Sequence, residues 1–255
     1  MLLLLISIAV FVALAGGALA EEKLSIAAAS NLVHVLEPLH AEFRRTSPET
    51  RVTISVGASG TLFAQIQNGA PFDVFLAADL EYPRQVVARG LGDDRSRLTF
   101  ARGQLAVWTM RTDLDLSDLA AAVRAPSVKK VAIAQPQTAP YGRAAQRVLE
   151  TAGVWNDARS KLVTGENISQ TAQFVETGNA DLGFVAASIL FSSRVAKQGR
   201  WRLLDPEQHP GVSLDHGAVL TNRGTANPAA KRYLIFLRGE PARKILRTAG
   251  YVVPE

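Results

Sequence analysis

The sequence predicts an α/β protein of two lobes, each a mostly parallel sheet flanked by helices. Three observations carry this expectation. Short apolar runs alternate with segments of helical periodicity along the chain. Two such series fit into about 235 residues after an apolar N-terminal segment, a length suited to one large or two small domains. A strand–serine–helix pattern occurs twice near the start, at Ser30 and at Ser59.

The N-terminal segment, MLLLLISIAVFVALAGGALA, is apolar and ends in small residues, with Ala18 and Ala20 in an A-x-A arrangement. It reads as a secretory signal peptide, residues 1–20, cut after Ala20. No Lys or Arg precedes the apolar run, so the usual basic region is missing. An uncleaved anchor is the rival reading, since the run approaches the ~20 apolar residues that span a bilayer. Gly16, Gly17 and the Ala-rich end favour cleavage. An exported chain without cysteine suits the bacterial periplasm, and the lack of thiols excludes disulfides and thiolate metal sites.

Net charge is +5, but the basic residues are scattered and aromatics make up only 7%. No basic run is interleaved with aromatics, so nucleic acid is not the expected partner. A solvated surface with mild attraction for anions is the plainer reading.

Taken in order, Leu24–Ala28 reads as a buried strand. Leu32, Val35, Leu36, Leu39 and Phe43 then recur at helical spacing, so Ser30 or Asn31 is the expected N-cap of a helix reaching about Thr46, with Pro38 inside it. Arg51–Val56 is the next strand. In Val56–Asp79, Gly57 and Gly60 flank Ser59, and Leu62 and Ile66 mark the helix that follows. A helix start leaves N–H donors unpaired and carries partial positive charge, so a serine there can build an anion site without a charged side chain. It can also simply cap its helix.

Val74–Ala77 is a buried strand, and Asp79 opens a helix to about Arg89. Further strands are expected at Gln104–Thr109, Val131–Ala134, Lys161–Thr164, Asp181–Val185, Trp201–Leu204 and Gly217–Leu220. Further helices are expected at Asp113–Val123, from Tyr141 to about Thr151, at Ile168–Glu176, from Ser188, and at Asn227–Leu237 and Glu240–Ala249. In an open parallel sheet the C-terminal strand ends share one edge, where ligands bind. The expected division is residues 21–102 and 212–255 in lobe 1 and 103–211 in lobe 2.

Several alternatives stand beside the anion site. Asp73 and Asp79 invite a paired-carboxylate enzyme, although turns and helix starts are their commoner use. His34, His40, His209 and His216 show no metal-ligand spacing. Glu166 suits a helix start. Ser188 is not in a G-x-S-x-G elbow, so a serine hydrolase is unsupported.

The motifs AAASNL (27–32), GASGTLFAQIQNGAPFDVFLAAD (57–79), TAPYG (138–142), GENISQ (165–170) and GFVAAS (183–188) appear in that order. Together they resemble the periplasmic molybdate-binding proteins of ABC-type importers, over essentially the whole mature chain. The resemblance implies a type II periplasmic binding-protein fold, with two lobes joined by two crossover strands. It implies molybdate or tungstate held in the cleft by neutral donors and delivered to a membrane permease. It implies no enzymatic activity, no cofactor and a monomer.

Carried over residue by residue, the binding set is Ser30, Asn31, Ser59, Tyr141 and Ile168. Ser30, Ser59, Tyr141 and Ile168 would reach the metal only through the oxygens of the anion. Some members of that family have tyrosine where this chain has Ala186, with a small residue in place of Tyr141. The resemblance therefore assigns Tyr141, by hydroxyl, backbone or both, and no direct role to Ala186. The same fold holding sulfate or thiosulfate is the nearest alternative; a secreted enzyme using Asp73 or Asp79 is the other.

Overall fold

The computed structural model describes residues 22–192, 199–209 and 214–254. The predicted signal peptide and its cleavage site lie outside the described residues. So does part of the predicted second crossover.

Strands are β1 (Glu22–Ala29), β2 (Thr50–Gly57), β3 (Val74–Ala77), β4 (Leu98–Arg102), β5 (Leu105–Thr109), β6 (Val131–Ala134), β7 (Leu162–Gly165), β8 (Leu182–Ala186), β9 (Arg200–Leu203) and β10 (Asp215–Leu220). Helices are α1 (Val33–Thr46), α2 (Ser59–Gln67), α3 (Glu81–Ala88), α4 (Leu119–Arg124), α5 (Pro140–Thr151), α6 (Trp155–Arg159), α7 (Ile168–Glu176), α8 (Ala187–Ser192), α9 (Asn222–Thr225), α10 (Pro228–Arg238) and α11 (Glu240–Thr248).

They build two five-stranded sheets, ordered β2-β1-β3-β10-β4 and β7-β6-β8-β5-β9. In each, three strands are parallel: β2, β1, β3 in the first and β7, β6, β8 in the second. The strand arriving from the other lobe, β10 or β5, pairs antiparallel on both sides. The sheets are thus mixed, with a parallel half that carries the strand–helix units.

The parallel strands are short and apolar because helices cover them. Val74–Ala77, Val131–Ala134 and Leu182–Ala186 are buried along their whole length. The α1 face formed by Val35, Leu36, Leu39 and Phe43 is buried, and Phe43 meets the Tyr233 ring edge-on at 5.1 Å, tying α10 to this lobe.

Local chemistry shifts several predicted boundaries. Helix α1 is preceded by a 3-10 turn at Ser30–Leu32 and runs on through Pro38. Ser30 therefore lies inside the first turn, after Ala29, and its side chain caps nothing. Ser59 likewise follows Ala58 as the first residue of α2. The helix predicted at Asp113–Val123 is confined to Leu119–Arg124. Asp115 accepts from the Ser117 N–H, drawing the backbone into a turn, and Asp118 then caps the helix by accepting from the Ala121 N–H, which sets its start at Leu119. Strand β4 was not predicted. It buries Phe100 and Ala101 between exposed Thr99 and Arg102, and pairs with β10.

The chain passes between the lobes at Gly103–Gln104 and again ahead of β10. The two passages meet where the Gly103 N–H donates to the Leu214 carbonyl at 2.9 Å.

Candidate functional site

The parallel register fixes which turns face each other. Ala29 pairs with Gly57, Ala28 with Leu76 and Ala134 with Gly165, so the C-terminal ends of the parallel strands in each sheet are level. Their following turns open on the junction between the lobes. There a narrow cleft is lined by Ser30, Asn31, Ser59, Tyr141 and Ile168, with small residues such as Gly57 and Ala78 between them. All five residues predicted from the sequence are brought together, and no charged side chain lines the cavity.

The N–H groups of Ser59, Tyr141 and Ile168 belong to first turns, where no intrahelical carbonyl can reach them. Neighbouring donors are already taken. Asn167 caps α7 by accepting from Ser169 and Gln170 at 3.0 and 3.1 Å. Pro140 fills the first position of α5 and has no N–H to satisfy.

Ser59 is oriented by a specific bond. Its Oγ accepts from the Ala78 N–H at 3.0 Å, so its own proton remains to be donated elsewhere. The Ser30 carbonyl accepts from Ser169 Oγ of the facing lobe at 3.0 Å, which seats the two turns against each other.

The Asn31 and Tyr141 side chains point another way. Asn31 Nδ2 donates to Tyr251 Oη at 2.8 Å and lies 2.6 Å from His216 Nε2. His216 Nδ1 is 2.7 Å from the Leu214 carbonyl, so Nδ1 carries the hydrogen and Nε2 accepts. Tyr251 Oη and Ser188 Oγ both reach the Asn31 carbonyl. The Tyr141 ring runs into the same cluster, 6.1 Å from His216, and its hydroxyl abuts Gly103, where a Cβ would lie 2.1 Å away. That hydroxyl has no hydrogen-bond partner among the described residues, and burial pushes its pKa well above the usual value. The Tyr141 N–H belongs to the helix start that lines the cavity, while its hydroxyl stands beside Gly103 and its ring beside His216.

Asp73 and Asp79 do not converge. They stand at opposite ends of β3, whose length separates them by roughly 20 Å at ~3.3 Å per residue. Asp73 accepts from the Ser25 N–H and pairs with Arg223; Asp79 accepts from the Tyr82 N–H and pairs with Arg143. No cluster of three or more potential metal ligands occurs among the described residues.

Residues 24–252 match the family model described as bacterial extracellular solute-binding protein. The chain belongs to that family. This solute-binding protein is 36% identical over 244 residues to the molybdate-binding protein ModA of Azotobacter vinelandii, covering 94% of this chain and 95% of that one. It is 39% identical over 227 residues to the molybdate-binding protein ModA of Rhodobacter capsulatus, covering 89% and 86%. Among solved structures it is similar to the Azotobacter vinelandii periplasmic molybdate-binding protein, with a TM-score of 0.83 and 30% identity over 91% of this chain and 100% of that one. The two-lobed fold is thereby that of a binding protein rather than an enzyme.

The sequence did not single out Tyr82, Arg143, Ser169 or Tyr251, all of which join the lobes around the site or the hinge. Arg143 lies two residues past Tyr141, but only the fold shows that it faces Asp79.

Proposed function

We propose that this protein captures molybdate or tungstate between its lobes and delivers it to the membrane permease of an ABC importer. The observation that carries the reading is the cavity itself: turns from both lobes supply hydroxyl and helix-start donors, with no charged side chain among them. A doubly charged oxyanion leaving water needs several short hydrogen bonds, which preorganised neutral donors can supply. The relatives named for molybdate cover nearly the whole chain, which supports this ligand over others.

In this reading Ser30 and Ser59 donate through hydroxyl and N–H, and Tyr141 and Ile168 through their N–H groups. Asn31 contributes its backbone on the turn while its amide anchors the hinge. The metal is reached only through the anion's oxygens. Hydrogen phosphate brings a proton that finds only donors facing it, and is disfavoured. Sulfate carries no such proton, so its rejection rests on size. One chain supplies both halves of the cleft, which supports a monomer. The chain acts in the periplasm after cleavage behind Ala20, and its lobes are residues 21–102 with 212–255, and 103–211.

Thermal-shift measurements with molybdate, tungstate, sulfate, phosphate and citrate test the assignment. Molybdate and tungstate should raise the melting temperature most. A larger shift with sulfate would move the assignment to another oxyanion.

A further inference from the structure

Beside the cavity, a second set of contacts crosses between the lobes. Arg143, in the first turn of α5, donates to Asp79 Oδ2 at 2.5 Å. Its guanidinium lies over the Tyr82 ring, 5.4 Å from the centroid. Tyr82 Oη donates to the Gln137 carbonyl at 3.3 Å, and the Gly60 N–H donates to the Thr138 carbonyl at 2.8 Å. Gly60, Asp79 and Tyr82 follow strands of the first sheet; Gln137, Thr138 and Arg143 follow β6 of the second. Asp79, Tyr82 and Arg143 do not line the cavity.

We infer that Asp79 and Arg143 form an inter-lobe latch that sets the affinity of the oxyanion site without touching the anion. The inference rests on the reading of the cleft as an oxyanion site. The Asp79 side chain is 12% exposed and that of Arg143 is 42% exposed, so closing the lobes dehydrates the carboxylate while the guanidinium keeps water on one side. Burial pushes the Asp79 carboxyl up, opposed by the Tyr82 N–H and by Arg143. Taking Arg143 away leaves a buried carboxylate without its partner, a state that opening the lobes relieves. The pair therefore matters only in the closed form.

Gly60 belongs to the same device. A Cβ there would lie 2.4 Å from Tyr82 Oη and 2.9 Å from the Thr138 backbone. Thr138 is across the cleft, so its clash is relieved when the lobes part, whereas the Tyr82 hydroxyl, the far end of a side chain on the same lobe, can turn aside.

The sign of one substitution separates the latch from simple electrostatics. If Asp79 acted only as a nearby negative charge, Asp79→Asn would tighten binding of a dianion. If it is a latch, Asp79→Asn weakens binding. Asparagine keeps an oxygen for the Tyr82 N–H, so the start of α3 is preserved.

The experiment is calorimetric titration of wild type, Asp79→Asn, Arg143→Met and the double variant with molybdate, together with stopped-flow release. Each single variant should raise Kd about tenfold, chiefly through faster release, and the double should equal a single rather than their product. Gly60→Ala should keep the open radius of gyration in small-angle scattering at a molybdate concentration that compacts wild type. Melting temperatures without ligand show whether each variant is folded. Wild-type or tighter binding by folded Asp79→Asn overturns the latch, as does wild-type compaction of Gly60→Ala. Molybdate failing to stabilise wild type while sulfate succeeds would sink the substrate reading. The latch would then be judged by the same comparison made with sulfate.

Discussion

At the scale of residues, Ser59 and Tyr141 make opposite predictions. The Ser59 hydroxyl accepts from the Ala78 N–H and lines the cavity, so its own proton is free to be donated to an anion. Ser59→Ala should weaken oxyanion binding by about 1.5–3 kcal/mol, the worth of a hydrogen bond to a charged group. Wild-type affinity by calorimetry would remove Ser59 from the site. Tyr141 offers its backbone, and its buried phenol has no partner. Tyr141→Phe should leave molybdate affinity within about twofold, since only the unpaired hydroxyl is lost, and should not lower the melting temperature. A tenfold loss of affinity would show that the hydroxyl reaches the anion.

His216 gives the residue scale a pH dependence. Burial holds its imidazole at about 4, against an ordinary value of 6.5. His40 is also lowered to about 4, by burial first. Between those limits the unfolded chain binds protons that the folded chain refuses. Folding stability is therefore greatest above about 6.5 and falls as pH drops toward 4, by up to about 1.4 kcal/mol per pH unit for each group. Urea unfolding midpoints should decline across that window, and His216→Gln should make the decline shallower. An unchanged slope would mean that His216 becomes protonated within the fold.

At the scale of elements, what could be read in the sequence was what local pattern controls. The buried strands Val74–Ala77 and Val131–Ala134 were legible because helices on both faces demand continuous apolar runs. Ser30, Ser59 and Ile168 were legible as helix starts after strands, because those turns are local. The start of α4 was placed too early because Asp115 takes the Ser117 N–H into a turn and Asp118 is the cap, which apolar periodicity does not register. Strand β4 went unseen because its partner β10 is more than a hundred residues away, and five residues without a period-two pattern give a weak signal. The Asp79–Arg143 pair and the Asn31–His216–Tyr251 cluster were illegible for the same reason: pairing across lobes leaves no trace in spacing.

At the scale of the whole molecule, closure joins the site to delivery. Ser30, Asn31 and Ser59 follow strands of the first sheet, while Tyr141 and Ile168 follow strands of the second. In the proposed reading neither half alone offers enough donors for a doubly charged anion, so tight binding requires the lobes to meet. The chain crosses between lobes at Gly103–Gln104 and ahead of β10, and these passages are joined by the Gly103–Leu214 bond, a natural axis for rotation. A ligand that binds the closed form stabilises it by mass action, by about 4 kcal/mol at a thousandfold excess over its dissociation constant. Two quantities should then move together on adding molybdate: the radius of gyration should fall and the melting temperature should rise. Sulfate at equal concentration should do much less of both. A rise in melting temperature without compaction would mean that the anion binds one lobe only, and the two-sided site would have to be given up. A melting-temperature rise without compaction in Gly60→Ala, beside both changes in wild type, would instead separate contact with the anion from closure and leave closure as the change in shape that a permease can sense.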